Sequence, residues 1–271
     1  MSANQQILLI GFGNMGQALV RGWLAKGRAA ATIRVVDPVP TARAVAAQLG
    51  VSARADFGDV ASARADVIVL AVKPTQLAAV LPVCAGQAAP DAVFLSIAAG
   101  KTLAALTAGL GRAAVVRAMP NTPAAIGEGI TALVASPAVN AAQRALCTEL
   151  LAAVGAVAWV DDERHMDAVT AVSGSGPAYV FLLIECLEQA GRDLGLDAAL
   201  AKQLALATVA GAGAYAAAAD AEPAELRRRV TSPNGTTQAA LDVLMAESGM
   251  RDLLARAVRA AAARSRELSQ V

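Results

Sequence analysis

The chain has 271 residues, 56% of them hydrophobic and 17% charged, which is too apolar for a disordered segment. Lys and Arg number 23 against 22 Asp and Glu, and the resulting charge of +1 excludes a protein held on nucleic acid by bulk electrostatics. Aromatic residues make up only 3%, so Ala, Val, Leu and Ile must build the core.

Short apolar, β-branched runs alternate with helical patterns through the first half. Strands are predicted over 6–10, 32–36, 67–71, 93–96 and 114–117, with helices such as 15–26 and 40–50 between them. A further alternation follows at 130–135, 141–154 and 157–160. Such a pattern predicts an α/β fold: a Rossmann-type parallel sheet with helices on both faces. After about Asp161 the pattern is helical only, over 163–172, 177–194, 198–219, 224–230, 237–247 and 251–268. Two domains are therefore expected, residues 1–160 and 161–271. The charge divides with them, +5 in the first and −4 in the second.

Residues 203–219 are an uncharged run of mostly small side chains, read as a packed helix rather than a membrane span. Gly211 and Gly213 lie inside that run, and close helix–helix approach would offset their helix penalty of about 1 kcal/mol each. A helical domain so rich in Ala buries little area per residue, which points to a homo-oligomer. The N-terminus lacks a signal-peptide pattern. Cys84, Cys147 and Cys186 are scattered, and His165 is the single histidine, so neither a disulfide framework nor a Cys- or His-rich metal site is expected. A cytoplasmic protein without metal, nucleic acid or membrane partners is the expectation.

Gly11-Phe12-Gly13-Asn14-Met15-Gly16 follows the first strand and opens a helix, the context that G-x-G-x-x-G requires for dinucleotide binding. Gly11 permits the tight turn, Gly13 the approach of a pyrophosphate, and Gly16 close packing of helix on sheet. Asp37 ends the second strand, where an acid usually takes the adenosine ribose 2′-OH. It leans towards acceptance of NADH, while Arg34 and Arg43 nearby offset its charge, so NADH and NADPH both stay open.

Three more segments interrupt the pattern: Ala71-Val72-Lys73-Pro74, Met119-Pro120-Asn121-Thr122-Pro123 and Ser232-Pro233-Asn234-Gly235-Thr236-Thr237. Two stand at strand ends, where a nucleotide crevice lies. Ser173-Gly174-Ser175-Gly176-Pro177 is a helix break and restart, with Ser175 as the expected N-cap.

Taken in order, these motifs resemble the pyrroline-5-carboxylate reductase family over essentially the whole chain. The resemblance rests most heavily on DAVTAVSGSGPAY at 167–179 and ELRRRVTSPNGTTQAALDVL at 225–244. It implies reduction of L-1-pyrroline-5-carboxylate to L-proline by NAD(P)H, with NADPH usual. It also implies an all-α C-terminal dimerisation domain, assembled as a homodimer or homodecamer. Residue by residue, the backbone of Gly11–Gly16 would hold the pyrophosphate. Ala71, Val72, Lys73 and Pro74, with Met119, Asn121 and Thr122, would line the nicotinamide end. Ser232, Pro233, Asn234, Gly235, Thr236 and Thr237 would hold the substrate carboxylate, and Thr237 would hydrogen-bond the ring nitrogen as the catalytic group. Lys73 and Asp220 would pair across subunits. Two departures stand out: Asn234-Gly235 replaces the family's usual Gly-Gly, and Ala55-Asp56-Phe57 replaces its Asn near the ribose.

The chemistry is consistent without a catalytic histidine. A cyclic imine is basic enough to be protonated, and its iminium carbon accepts hydride once positioned away from water. His165 is accordingly read as a structural or surface residue. A β-hydroxyacid dehydrogenase shares the GxGxMG start, but its acid–base lysine is replaced by Val180 here. A non-catalytic nucleotide sensor of the same fold has no feature in its favour.

Overall fold

Ile7-Leu8-Leu9-Ile10 form strand β1 (Ile7–Ile10), and all four are buried, which places the strand at the middle of a sheet covered on both faces. The computed structural model describes residues 5–57, 64–111 and 114–269. After β1 come α1 (Asn14–Ala25), β2 (Ile33–Val36), α2 (Pro40–Gln48), β3 (Ser52–Arg54), β4 (Ala65–Leu70), α3 (Leu77–Ala85) and β5 (Ala88–Ser96). The sheet is completed through α4 (Leu103–Leu110), β6 (Val115–Met119), β7 (Gly129–Ala135), α5 (Ala141–Ala152) and β8 (Gly155–Trp159).

The eight strands lie in the order β3-β2-β1-β4-β5-β6-β7-β8. The chain reverses its direction of growth between β1 and β4, and a crevice opens at the strand ends there. Six of the seven pairings are parallel, as expected of a Rossmann-type sheet, and β6 and β7 are antiparallel. The β6–β7 link contains only a 3-10 turn, Thr122–Ile126. A parallel crossover needs more chain than that, so the strand returns beside its neighbour.

Side chains alternate between two cores. Ile7 and Leu9 pack with Leu19 and Trp23 of α1 and Leu150 of α5. Leu8, Ile10 and Ile68 pack on the other face with Leu77, Leu81 and Leu106 of α3 and α4. Each such fully buried side chain contributes roughly 1.5–3 kcal/mol. Trp23 Nε1 donates to Leu150 O at 2.8 Å, tying α1 to α5.

Beyond β8, a 3-10 turn (Glu163–His165) leads into α6 (Met166–Val169) and a π-helical turn, Thr170–Gly174. The single helix expected over 163–172 is thus three pieces. The Thr170 and Ser173 hydroxyls donate to the Met166 and Val169 carbonyls four residues back, a bonding that loosens helix geometry. Then come α7 (Gly176–Asp193), α8 (Ala198–Ala218), α9 (Pro223–Arg229), α10 (Thr236–Leu244) and α11 (Met250–Ser269).

The chain divides into two compact units, Met1–Gly174 with Ala262–Val271, and Ser175–Ala261. Within the first, the Ser265 hydroxyl donates to Asp167 Oδ1 at 2.6 Å, so the last turns of α11 are fastened to α6. Within the second, α7 and α8 pack closely where Gly191 faces Ala201 and Leu196. No atom lies within 4 Å of a Cβ built on Gly211 or Gly213, so helix contact within the chain is not what makes them glycine. Among the described residues, Glu163–Asp193 is long and apolar enough by length and composition to cross a membrane; the π turn interrupts it.

Candidate active site

The glycine turn starts from backbone geometry. Gly11 has φ +92°, and a Cβ there would lie 2.7 Å from the Ala71 carbonyl oxygen. The first loop residue therefore sits directly on the Ala71-Val72 segment that follows β4. A Cβ on Gly16 would lie 2.6 Å from the Gly11 oxygen, so α1 can fold back on its own loop only with glycine there. Gly13 differs: no atom lies within 4 Å of a Cβ built on it. Gly13 is also the N-cap of α1 and supplies no side-chain cap. Open space against uncapped helix N–H groups fits a pyrophosphate, which the dipole end and free amides attract.

Asp37 stands at the end of β2, as expected, but its carboxylate turns inward. Oδ2 accepts the Phe12 N–H at 2.6 Å and Oδ1 the Val39 N–H at 2.8 Å, and the residue is only 7% exposed. Arg43 Nη1 donates to the Asp37 and Pro38 carbonyls at 2.9 and 2.7 Å. Its remaining N–H groups have no partner among the described residues, and Arg54 is exposed at the end of β3.

The other strand-end motifs converge on the same edge. Lys73 is exposed and precedes a 3-10 turn, Pro74–Gln76, whose Gln76 N–H donates to the Lys73 carbonyl at 2.9 Å. Asn121 Oδ1 accepts the Ile130 N–H at 2.9 Å, which fixes the 119–123 loop at the start of β7. A cavity of about 350 Å³ brings Asn14 and Met15 of the glycine turn against Thr122. Met119 lies beneath the π turn: a Cβ on Gly174 would fall 2.5 Å from Met119 Cε.

Sequence reading missed one pair on this side of the sheet. Arg117 on β6 is buried and donates to Glu163 Oε1 at 2.7 Å, and the same oxygen accepts the Leu103 N–H at 2.8 Å. The carboxylate thereby joins the end of β6 to the start of α4. An arginine inside the apolar run Val115–Met119 was the available signal, since a buried charge requires a partner. His165, by contrast, is exposed on its 3-10 turn. Ser175 stands at the N-cap of α7, as expected, but with helical φ and ψ and without a side-chain cap bond, because the π turn runs into the helix.

In the second unit, Ser232–Gly235 closes as a turn, with the Gly235 N–H donating to the Ser232 carbonyl at 3.1 Å. Asn234 takes φ +59°, the left-handed conformation that Asn tolerates best after Gly. Gly235 is the N-cap of α10, and a Cβ there would collide with Ser232 Oγ. No side chain caps α10, so the first amides of the helix, at Thr236 and Thr237, face outward for an anion. Thr102, Asn140 and Asp197 close α4, α5 and α8 with side-chain oxygens instead. Thr237 is half-buried, and Asp220 is exposed before α9.

Residues 163–268 match the family model described as pyrroline-5-carboxylate reductase dimerisation, and residues 6–100 match that of NADP oxidoreductase, coenzyme F420-dependent. The chain is 46% identical to a pyrroline-5-carboxylate reductase of Pseudomonas aeruginosa over 98% of this chain and 97% of that protein. A solved pyrroline-5-carboxylate reductase from Coxiella burnetii superposes with a TM-score of 0.93 at 36% identity, covering 99% of this chain and 100% of that one. The Plasmodium falciparum pyrroline carboxylate reductase, solved with NADP bound, gives 0.84 at 28% identity over 98% and 99%.

Proposed function

Since the chain belongs to the pyrroline-5-carboxylate reductase family, and so reduces L-1-pyrroline-5-carboxylate to L-proline with NAD(P)H, we propose the following roles for its residues. Asn14, Met15 and the backbone of Gly11–Gly16 hold the dinucleotide pyrophosphate. The observation that carries this reading is the open, uncapped start of α1 at Gly13. Ala71, Val72, Lys73 and Pro74, with Met119, Asn121 and Thr122, line the nicotinamide end.

The bound dinucleotide supplies the hydride; the chain has to orient the imine and keep water from it. Ser232, Pro233, Asn234, Gly235 and Thr236 hold the substrate carboxylate on the amides that open α10. The Thr237 hydroxyl hydrogen-bonds the ring nitrogen, a modest task that suits a neutral group because the imine is already protonated. Lys73 pairs with Asp220 of a second subunit. Unchanged substrate affinity and turnover in Asp220→Ala would remove that pairing.

The helical region forms the homodimer, with a homodecamer as the larger assembly. Its support is the dimerisation model over 163–268 and the exposed apolar side chains of α7, where Phe181 and Leu182 are 56% and 58% accessible. Open space around Gly211 and Gly213 leaves α8 free to meet a partner helix closely. All three cysteines are free thiols, in keeping with a reducing, cytoplasmic setting.

The decisive experiment follows cofactor absorbance on mixing the protein with pyrroline-5-carboxylate and NADH or NADPH. Imine-dependent oxidation is expected. A folded protein that binds both cofactors yet oxidises neither would end the assignment.

A further inference from the structure

A second cavity, of about 600 Å³, lies in the first unit between α3 and α4. Leu77, Leu81 and Leu106 form its walls, and Leu268 of α11 closes one end. Gly100, at φ +70°, lets the β5–α4 loop come down on that closure: a Cβ there would lie 3.3 Å from Leu268 Cβ. Its volume is in the range of sites that enclose small ligands, about 300–1,000 Å³.

The polar side chains at its edge carry no negative charge. Lys101 lines the cavity, is only half-exposed, and has no ion-pair partner among the described residues. No carboxylate lines the cavity. Glu163, which reaches the neighbouring Leu103 amide, is already bonded to Arg117. Thr75 adds a hydroxyl at the same edge. The missing complement is therefore an anionic head on an apolar body.

We infer that this cavity is a binding site for an amphipathic monocarboxylate, its hydrocarbon chain between α3 and α4 and its carboxylate on Lys101 and Thr75. Pro74 borders both this cavity and the proposed nicotinamide end, but the α3 and α4 walls and Lys101 take no part in the proposed reduction of the imine. A neutral apolar ligand would leave Lys101 without a counter-ion at the mouth, and an acidic peptide would find a single cation for its several charges. The carboxylate satisfies both the charge and the walls.

Decanoate titrated calorimetrically into the full-length protein in its native assembly tests the site. One decanoate per chain is expected, bound with affinity about three- to fivefold weaker after Lys101→Met, as a single partly shielded ion pair provides. Decanol should bind the unaltered protein about as weakly. Ala105→Trp, which fills the cavity from α4, should abolish binding while the melting transition stays cooperative. Saturating NADPH should leave decanoate affinity unchanged. Equal binding of decanoate and decanol, indifference to Lys101→Met, or competition with NADPH would overturn the site. So would absence of binding in the assembled protein, which would mean that a second copy covers the groove.

Discussion

The Asp37 carboxylate accepts the Phe12 N–H at 2.6 Å, so the end of β2 holds the glycine turn in place from inside the protein. With Val39 N–H on the other oxygen, the side chain is a pin for two loops. A pin differs from a ribose reader in what its loss does. Asp37→Asn puts an amide N–H against a backbone N–H, and stability should fall by about 1–3 kcal/mol. Both cofactors should then bind more weakly while the ratio of their KM values changes little. A ratio moved tenfold or more towards NADPH (about 1.4 kcal/mol) would show that the carboxylate reads the ribose instead.

The turn proposed to hold the substrate makes a paired prediction. Asn234 already has a left-handed backbone at φ +59°, so Asn234→Gly should keep its activity. Asn234→Val, β-branched at positive φ, should lose stability by about 1–2 kcal/mol and raise the KM for the imine. Gly235→Ala meets Ser232 and deforms the amides that open α10, so kcat/KM should fall while NADPH affinity holds. Steady-state kinetics with each substrate varied separates the two effects. Normal imine kinetics in Gly235→Ala would rule out the turn as the carboxylate site.

Much of this arrangement was legible in the residues. The run Ile7–Ile10 reads as a buried strand, and the glycine spacing after it fixes the turn, because Gly11 and Gly16 are demanded by backbone contacts that any side chain would break. What pattern reading missed has physical causes. Strand β3, Ser52-Ala53-Arg54, lies at the sheet edge with Ser52 and Arg54 exposed, so it carries no apolar signature. Helix α3 holds Pro82 in its interior, a residue that normally argues against a helix. The reversal at β7 depends on the length of a link, not on composition. The inward turn of Asp37 is invisible in a sequence, since the same residue at the same spacing suits the ribose equally well.

Burial separates the three thiols. It pushes Cys84 and Cys147 up to about 12, whereas Cys186 is exposed on α7. At pH 8, native labelling by iodoacetamide should be confined to Cys186, slowed to the extent that the dimer covers α7. The same shifts set a pH dependence. Above pH 9 the unfolded chain releases thiol protons that the folded chain retains. Stability from these groups is therefore complete below about 9 and is lost as pH rises towards 12. Melting temperature should fall through that window, and less steeply in Cys147→Ala. Peptide mapping that finds label on Cys84 or Cys147 in the native protein would contradict their burial.

The three glycines of the first turn should not respond alike to alanine. At Gly11 the new methyl meets the Ala71 carbonyl and the residue must also hold φ +92°. At Gly16 it meets the Gly11 carbonyl. Both substitutions push backbone against backbone, so Gly11→Ala and Gly16→Ala should lower the melting temperature together with cofactor affinity. Gly13→Ala meets nothing in the protein, and its backbone at φ −71° suits any residue. Its melting temperature should stay near that of the unaltered chain, because the gain of about 0.4–1 kcal/mol from Gly to Ala at a compatible backbone is offset by the preference of the N-cap position for Gly over Ala. The methyl would occupy only the space proposed for the pyrophosphate. Dinucleotide affinity, measured by nicotinamide fluorescence, should therefore drop steeply in a protein that folds as well as before. Retention of full affinity would place the pyrophosphate elsewhere and leave the open start of α1 without a ligand.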